Sequence, residues 1–551
     1  MIRAFAVAVL LSFAAALPAG AKERLVIGMT QFPSTLHPLI DSMLAKSYAL
    51  AMGMRPFTVY DPEWRLVCML CVELPTIENG GAARETTSEG KEGIAVTYTI
   101  RPDARWGDGV PVTTRDVAFA VEVGKHPQSG VASAELFRRI LELEVHDERR
   151  FTLHLDRVTF DYNDVGVLVL PAHIDRANFD ADPAEYRNRT AFDADSANPG
   201  LWFGPYRVVR VEPGAAIELT RNPTWWGKPA AFETVIIRIV ENTAALEVNL
   251  RSGAIDYIAG ELGLSLDQAA AMEEREGDAW DFAYKAGLIY EHIDLNLDNP
   301  VLADVRVRRA LLHAIDRETL SERLFFGRQP VAHGPVSPLD WVYDADLPRT
   351  PFDPEAARKL LDEAGWTNEK PGGLRRNAAG EPLRLELGTT AGSRVRELVQ
   401  QVLQAAWKDV GIDVRIRNQP ARVFFGETVS KRQFSGMAMY AWLSSPESVP
   451  RSTLHSTMIP TAENNWSGQN YTGYRNPDVD VLLDSIEVEL DRGKRRALWA
   501  ELQAAYARDL PVLPLYFRAT PYVFPKWLKG VTPTGHQYST TLWIEEWRAE
   551  E

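Results

Sequence analysis

The sequence predicts an α/β protein that is organised in more than one lobe. Segments in which apolar and polar residues alternate, such as IAVTYTIRP at residues 94–102, indicate half-buried strands, and helical segments such as DPEAARKLLDEAGW at residues 353–366 lie between them. With 45% hydrophobic and 25% charged residues, the composition is that of a folded chain rather than a disordered one. About 530 residues follow the first 21, which is more than a single core usually holds, so we expect two or three lobes.

The first 21 residues have the organisation of a secretory signal peptide. Arg3 supplies a positive charge, Ala4–Leu17 is apolar, and Ala19-Gly20-Ala21 is an A-x-A cleavage site. The apolar run is too short to span a bilayer with ease, and no later segment approaches the roughly 18 to 20 apolar residues of a membrane helix. We therefore expect a soluble exported protein, located in the periplasm, whose mature chain begins near Lys22.

The net negative charge of the chain argues against anionic binding partners. The formal net charge is −15. Binding to phosphates requires a basic patch and the release of counterions, so neither nucleic acid nor tight adhesion to an anionic membrane is expected. The 15 tryptophans, 17 tyrosines and 21 phenylalanines fit two interpretations, large hydrophobic cores or a ligand cleft lined with aromatic side chains.

The only two cysteines, Cys68 and Cys71, lie in the segment RLVCMLCVEL. An oxidising compartment favours a disulfide between them. In an extended strand their side chains would point to opposite faces some 10 Å apart, whereas a turn or a helical step would allow the bridge, so both outcomes stay open. Zinc is not expected, because four ligands are needed and no pair of histidines has suitable spacing. We predict no metal and no cofactor.

Local signals predict the elements of the first half of the chain. The polar stretch at residues 78–93, with four glycines, is interpreted as a surface loop. Thr113 or Thr114 can cap the helix that follows, and Asp116 in its first turn favours the helix dipole. The dipeptide Pro213-Gly214 predicts a hairpin between two strands.

The second half shows longer helical segments. Residues 305–326 are predicted as one helix, and a later helix opens at Asp353-Pro354 and is closed by Gly365. Towards the C-terminus a helix is broken at Pro511 and followed by a buried strand. The histidines His37, His292 and His455 stand alone in the sequence, which favours structural roles for them.

The segment MYAWLSSPES combines a buried strand with an abrupt end. Met439–Leu443 is apolar and aromatic, as a buried strand requires, and it stops at two serines and Pro446, which cannot donate to a ladder. A core strand that runs into a turn explains the pattern. A binding segment that presents Trp442 and two hydroxyl groups explains it as well.

A series of blocks resembles the family 5 extracellular solute-binding proteins, which are the dipeptide, oligopeptide and nickel receptors of ABC importers. The core of the resemblance is YTIRPDARWGDGVPVTTRDVAFAVE, in which an aromatic-Gly-Asp-Gly-x-Pro turn precedes a Thr-x-x-Asp-Val helix. Five later blocks follow in the family's order: GPYRVVRVEPGAAIELTRNPTWW, ALEVNLRSGAIDYI, LADVRVRRALLHAIDRETL, DPEAARKLLDEAGW and YRNPDVDVLLDSI. The similarity runs from about Leu25 to Val531.

The resemblance implies a periplasmic-binding-protein-like fold (type II, cluster C), with two main lobes joined by a hinge and an extra inserted lobe. Lobe I would comprise residues 22–64, 199–290 and 512–551. Lobe II would be the insertion at residues 65–198, and lobe III would comprise residues 291–511. Closure of lobes I and III would enclose the ligand.

The resemblance also implies where a ligand lies. In peptide receptors of this family the segment matching YAWLSS lies across the cleft, and an aspartate three residues past the tryptophan takes the peptide's amino group. In this chain that position is Ser445. A serine cannot neutralise a buried ammonium group, and losing one partner of such a pair costs roughly 2 to 5 kcal/mol. Either another carboxylate takes over, with Asp41 and Glu447 as candidates, or the ligand has no free α-amine there.

Two further segments complete the candidate site. Asp41 and its neighbours match the family's other cleft-facing segment, although Asp41 could equally be a helix N-cap. Arg394 matches the position of a carboxylate-binding arginine in some dipeptide receptors, with a helix-surface arginine as the alternative. The predicted ligand-binding residues are Asp41, Ser42, Leu44, Arg394, Tyr440, Ala441, Trp442, Leu443, Ser444 and Ser445.

The function implied is that of the periplasmic binding component of an ABC importer, a monomer that captures a small polar solute and hands it to membrane permease subunits. A peptide or peptide-like solute is the leading expectation. An oligosaccharide, an opine-like conjugate or a role as a ligand-sensing partner are the alternatives. A hydrolase is not expected, because no Gly-x-Ser-x-Gly, His-Glu-x-x-His or Ser-x-x-Lys motif occurs in a suitable context.

Overall fold

The computed structural model describes residues 22–40, 43–132, 134–164, 166, 169–368, 370, 372–464 and 466–550. The predicted signal peptide lies outside the described residues, as do Asp41 and Ser42. No helix in the described part of the chain has the length and the apolar character that crossing a membrane requires.

Strands and helices alternate along the chain, which confirms the predicted α/β class. The strands are β1 (Arg24–Met29), β2 (Thr58–Tyr60), β3 (Leu66–Cys68), β4 (Ala82–Thr86), β5 (Glu92–Thr99), β6 (Ile140–Val145), β7 (Arg150–Leu155), β8 (Tyr206–Glu212), β9 (Ala216–Arg221), β10 (Thr234–Ile239), β11 (Tyr257–Ile258), β12 (Trp280–Leu295), β13 (Arg384–Gly388), β14 (Asp413–Ile416), β15 (Met437–Leu443), β16 (Val512–Pro525), β17 (Leu528–Lys529) and β18 (Arg548–Ala549). The α-helices are α1 (Leu44–Gly53), α2 (Thr114–Lys125), α3 (Ala134–Arg139), α4 (Ala172–Ala181), α5 (Ala191–Ala194), α6 (Thr243–Arg251), α7 (Leu266–Glu276), α8 (Pro300–Ala303), α9 (Val305–His313), α10 (Arg317–Phe325), α11 (Pro354–Glu363), α12 (Arg394–Asp409), α13 (Ala421–Val423), α14 (Arg451–Leu454), α15 (Pro477–Val488) and α16 (Arg492–Asp509).

Several local predictions are confirmed. Thr113 is the N-cap of α2, and its side chain and that of Asp116 form a capping box. The carboxylate of Asp353 accepts hydrogen bonds from the first turn of α11, and Gly365 beyond its end has a left-handed φ of 83°. Strands β8 and β9 form the predicted hairpin around Pro213-Gly214.

Two local predictions are wrong. Residues 305–326 form two helices, because Asp316 accepts a hydrogen bond from the amide of Thr319 and so caps α10 as a new helix. Residues 78–93 are not a loop throughout, since they contain β4 and the start of β5. Strand β4 is an edge strand that pairs only with β5 and is largely exposed, so its sequence lacks an apolar pattern.

A ten-stranded sheet in the order β14-β13-β15-β12-β16-β11-β1-β10-β9-β8 forms the frame of the molecule. A separate four-stranded sheet, β4-β5-β7-β6, lies within the segment predicted as lobe II. Buried residues form several clusters, of which the largest includes side chains from both sheets and a second lies around β12, β13 and α12.

Two long antiparallel strands, β12 and β16, are neighbours in the middle of the large sheet. The first half of β12 pairs with Ala519–Pro525, and the second half pairs with Val512–Phe517 and with β15. The register shifts between Ala286 and Tyr290. At this shift a Cβ on Gly287 would lie 2.5 Å from the carbonyl oxygen of Gly535, so only glycine fits.

The predicted lobe boundaries can be placed on these strands. The boundary at 290/291 falls inside β12, and the boundary at 511/512 lies directly before β16. Strand β12 therefore runs from predicted lobe I into predicted lobe III, whereas β16 belongs to lobe I by this division but pairs along its first half with the lobe III part of β12. Strands shared in this way suit a hinge between two lobes. The division into three lobes stays a prediction.

Candidate functional site: an aromatic cavity beside a free strand edge

A cavity of about 260 Å³ lies against the sheet where β12, β15 and β16 meet, and we call it the Trp442 cavity. Alternate residues of β12 face it, because successive side chains of a strand point to opposite faces. The aromatic and charged side chains in its lining are Tyr290, His292, Asp294, Asp340, Trp442, Trp499, Tyr506 and Phe517. Leu443 at the end of β15 also lines the cavity, as do Ser444, Ser445 and Ser448 of the loop that follows.

A second space of about 550 Å³, which we call the cleft, adjoins the Trp442 cavity. One side of the cleft is formed by the segment that follows β7, including Phe160 and Asp164. The opposite side is formed by the loop after β15, together with Arg451 and Glu487. Ser445 lines both spaces, so the predicted binding segment lies between them.

One edge of β15 is free of strand partners at its C-terminal end. Strand β15 pairs with β12 over its full length, from Met437 to Leu443. On its other side it pairs with β13 only at Met437 and Ala438, because β13 ends at Gly388. The hydroxyl of Thr389 donates to the carbonyl oxygen of Met439 at 2.7 Å. Beyond that contact no described strand pairs with residues 440–443 on this side.

Buried polar groups line the floor of the Trp442 cavity. The side chain of Asp294 is 4% exposed and accepts a hydrogen bond from the hydroxyl of Tyr440. Burial and the neighbouring Asp294 raise the pKa of Tyr440 well above its usual value, so this hydroxyl stays protonated. The hydroxyl groups of Tyr290 and Tyr506 lie 3.0 Å apart on the same side.

Asp340 and Glu447 are held together beside the cavity. The amide of Glu447 donates to the carboxylate of Asp340 at 2.7 Å. Burial raises the pKa of Asp340 to about 6. The carboxylate of Glu447 forms an ion pair with Arg495. Glu447 is therefore already engaged, which weighs against it as the replacement for the family's amine-binding aspartate.

The predicted residues of β15 occupy different positions around the site. Tyr440 is buried, and the partly buried ring of Trp442 lies 6.0 Å from that of Tyr471 in a stacked arrangement. Ala441 pairs with Glu291 and so faces the opposite side of the sheet. Leu443 is 69% exposed at the end of the strand.

The predicted residues outside β15 and its following loop that the structure describes lie away from both the Trp442 cavity and the cleft. Leu44 is the first residue of α1 and is 37% exposed. Arg394 is exposed at the first position of α12. Neither lines the Trp442 cavity or the cleft. Their roles in binding stay predictions, and Asp41 and Ser42 lie outside the described residues.

The residue pattern did not reveal several groups of the site. His292 was expected to be structural, yet it lines the cavity 3.3 Å from the carboxylate of Asp294. The alternation in YEHIDL places both residues on one face of β12, and this signal was available in the sequence. Asp340 and Trp499 come from distant segments, and nothing local in the sequence connects them with Trp442.

The residue pattern also did not reveal an ion cluster around the buried Glu291 on the opposite face of the sheet. Glu291 is fully buried, and its carboxylate lies 2.6 Å from Arg396 and 2.5 Å from Arg518. Glu291 lies on β12 and Arg518 lies on β16, so the cluster joins the two long strands near their register shift. The inward-facing arginine of this region is thus Arg396, two residues beyond the predicted Arg394.

Cys68 and Cys71 form a disulfide in the structure, with their Cα atoms 5.3 Å apart. Strand β3 ends at Cys68, and the chain bends before Cys71. The bend brings both side chains to one side, as the bridge requires. Among the described residues no group of three or more histidine, cysteine, aspartate or glutamate side chains could hold a metal ion.

A cavity with an adjoining cleft, next to two long strands that run through the middle of the large sheet, is the arrangement expected of a protein that encloses a solute. The model of the bacterial extracellular solute-binding proteins, family 5 (middle), matches residues 77–460. The chain belongs to this family, which confirms the resemblance inferred from its sequence blocks.

Several relatives of this chain are named as oligopeptide-binding proteins. The oligopeptide-binding protein AppA of Bacillus subtilis is 24% identical over 473 residues, which cover 83% of this chain and 82% of that protein. The oligopeptide-binding protein OppA of Mycobacterium bovis is 27% identical over 424 residues, which cover 74% and 67%. The crystal structure of an oligopeptide-binding protein from Thermus thermophilus, complexed with a pentapeptide, has a TM-score of 0.67 and 31% identity, with 96% of each chain covered.

Proposed function

We propose that this protein is the periplasmic binding component of an ABC importer and that it captures a peptide or peptide-like solute. The relatives named above as oligopeptide-binding proteins support this solute class. The Thermus thermophilus protein that holds a pentapeptide is 31% identical to this chain. The solute is released unchanged to permease subunits in the inner membrane, and the protein acts as a monomer.

The free edge of β15 at residues 440–443 is the observation that carries this proposal. Backbone amide and carbonyl groups on an unpaired edge can accept an extended peptide as an added strand. Such pairing supplies affinity without selecting side chains, whereas neighbouring pockets supply specificity. The Trp442 cavity adjoins this edge through Leu443 and Ser444, so a solute lying along the edge can place a side group in it.

A thermal-shift screen followed by calorimetry tests the proposal. The screen uses peptides of two to five residues, opines and short oligosaccharides. A bound solute stabilises the folded state by RT ln(1 + [L]/Kd), which is about 2.7 kcal/mol at a hundredfold excess over Kd. We expect stabilisation by peptides longer than two residues, and weak binding of plain dipeptides because Ser445 offers no charge for their amino group. Stabilisation by an oligosaccharide and by no peptide would overturn the peptide assignment.

Scattering tests the proposed capture mechanism separately. Two lobes that close around a solute must change the radius of gyration of the protein when the stabilising solute is added. An unchanged scattering profile with a saturating solute would contradict capture between moving lobes. Chromatography of the mixture after incubation should return the solute intact, and turnover of the solute would contradict a pure binding role.

A further inference from the structure

We propose that the Trp442 cavity binds a cationic group of the solute, an ammonium or a guanidinium group. This inference rests on the proposed function, because it assigns a chemical class to the solute that enters beside β15. The cavity is smaller than the roughly 300 to 1,000 Å³ of pockets that enclose whole small ligands. It therefore suits one group of a larger solute that lies outside it.

The charges that line the cavity favour a cation. Among the described residues, the lining contains the carboxylates of Asp294 and Asp340 and no lysine or arginine. Asp294 is 4% exposed, Asp340 is 8% exposed, and neither forms an ion pair with a lysine or arginine among the described residues. Burial raises the pKa of Asp340, and Arg495 and Arg492 partly offset this rise. Arg495 is also paired with Glu447. Asp294 has no arginine or lysine paired with it among the described residues, and a cation from the solute compensates its buried carboxylate.

His292 gives an independent indication of a missing donor. Its Nδ1 atom lies 3.2 Å from the carbonyl oxygen of Tyr290. A carbonyl oxygen can only accept, so Nδ1 carries a proton, and in the form of the ring with a single proton Nε2 is then an acceptor. Nε2 is buried without a hydrogen-bond partner and lies 3.3 Å from an oxygen of Asp294. A solute N–H group at this position would donate to Nε2 and lie beside the carboxylate of Asp294, which already accepts from the hydroxyl of Tyr440.

The aromatic side chains of the cavity add to this preference. Tyr290, Trp442, Trp499, Tyr506 and Phe517 surround the same space. The faces of such rings carry a negative potential that attracts ammonium and guanidinium groups. Aromatic walls together with the carboxylates of Asp294 and Asp340 are the features of a cation-binding pocket.

Calorimetry with matched peptides tests the proposal. The probes are alanine tetrapeptides in which one lysine is placed at each position in turn, each paired with a norleucine peptide of the same length. Every probe is used with a free and with an acetylated N-terminus, which separates a side-chain ammonium from the α-ammonium. Agmatine serves as a guanidinium probe that is not a peptide. The proteins are the wild type, Asp294→Asn and the control Glu322→Gln, which removes an exposed carboxylate that lines neither space.

We expect at least one cationic probe to bind the wild type about 10- to 100-fold tighter than its neutral partner, in line with a hydrogen bond to a charged group. In Asp294→Asn the affinities for the cationic probe and its neutral partner should differ by no more than about twofold. In Glu322→Gln the preference for the cationic probe should be the same as in the wild type. Equal affinity for cationic and neutral probes, or an unchanged preference in Asp294→Asn, would overturn the proposal. If Asp294→Asn does not fold, Asp340→Asn is measured instead, and it should also lose the preference for the cationic probe.

The variant His292→Phe distinguishes two possible roles of His292 in the Trp442 cavity. If Nε2 is an acceptor for the solute, this variant weakens binding of the cationic probe. If His292 were instead the counter-ion of Asp294, its removal would strengthen that binding, and this part of the proposal would be overturned. Failure of every peptide, lysine and norleucine alike, counts against the proposed function. In that case agmatine still tests the cation pocket. If agmatine stabilises the wild type more than Asp294→Asn, the proposed cation pocket is supported, and if it does not, the proposal is overturned.

Discussion

Glu447 and Arg495 form a buried ion pair directly behind the turn that ends the binding segment. Glu447 adopts a left-handed φ of 58°, which is uncommon for a residue with a side chain. The guanidinium of Arg495 also lies 4.5 Å from the ring of Phe160, which belongs to the segment after β7. The pair thus connects the turn after β15 with α16 and with the opposite side of the cleft.

The variant Glu447→Gln should destabilise the protein by about 3 kcal/mol. It removes the carboxylate that is in direct contact with the buried guanidinium of Arg495, and breaking a buried ion pair by removing one partner is strongly destabilising. Urea denaturation measures the free energy of unfolding. The exposed variant Glu322→Gln is the control and should change that energy by less than about 0.5 kcal/mol. Equal stabilities of the two variants would show that the pair contributes nothing.

The variant Trp442→Ala should weaken solute binding by about 10- to 100-fold while the fold is retained. Trp442 lines the cavity beside the free edge of β15, so its ring is available to a solute in that position. Calorimetry with the best peptide of the screen measures the affinity, and circular dichroism checks the fold. The matched control is Phe352→Ala, since Phe352 is 50% exposed and lines neither space. Unchanged affinity in Trp442→Ala would remove this side chain from the site.

Asp340 should make the stability of the protein depend on pH. Burial raises the pKa of Asp340 from 3.8 to about 6, although Arg495 and Arg492 act in the opposite direction. Between these values the folded state keeps a proton that the unfolded state has lost. The stabilising contribution of Asp340 is therefore complete below about pH 4 and is lost as the pH rises through about 6.

The comparison with Asp340→Asn isolates this contribution. The free energy of unfolding of the wild type, minus that of the variant, should decrease by about 2 kcal/mol as the pH rises from about 4 to about 7. Urea denaturation at intervals across this range measures both proteins under the same conditions. A difference that stays constant with pH, or that increases, would contradict the raised pKa of Asp340.

Phe160 should hold the two sides of the cleft together. Its amide donates to the carbonyl oxygen of Glu487 at 2.9 Å, and its ring lies beside Arg495. The variant Phe160→Ala removes the ring contact and should weaken binding of the best peptide by about 2- to 5-fold. The ligand-free variant should also show a larger radius of gyration in solution scattering. Phe352→Ala is again the control, and an identical response of both variants would exclude a role for Phe160 in closure.

Features that depend on a few neighbouring residues were predictable from the sequence. The cap at Thr113 and Asp116, the start of α11 at Asp353-Pro354 and the hairpin at Pro213-Gly214 each involve groups within four residues of one another. The strand ending at Leu443 was also predicted, because its apolar run stops at polar residues. The break before α10 was missed, since Asp316 competes with a continuous helix and the sequence alone does not show which arrangement wins.

The candidate site was predictable only where it coincides with one segment. Trp442, Leu443, Ser444 and Ser445 were predicted from the resemblance of their segment to the family's cleft-crossing segment, and all four line the cavity. Asp340 and Arg495 lie more than a hundred residues apart in the sequence, and both contact the loop after β15. Such pairings depend on strand order and on the packing of α16, neither of which leaves a local pattern.

The sequence by itself determined the class of the protein, its family and the strand that carries Trp442, because periodicity, turn residues and ordered blocks are local properties of the chain. The tertiary structure decided which groups share the Trp442 cavity and which carboxylates are already paired. It also decided that one edge of β15 is free, since this depends on where β13 ends beside it. The chemistry of the site is set by contacts between distant segments, and only the folded chain brings those segments together.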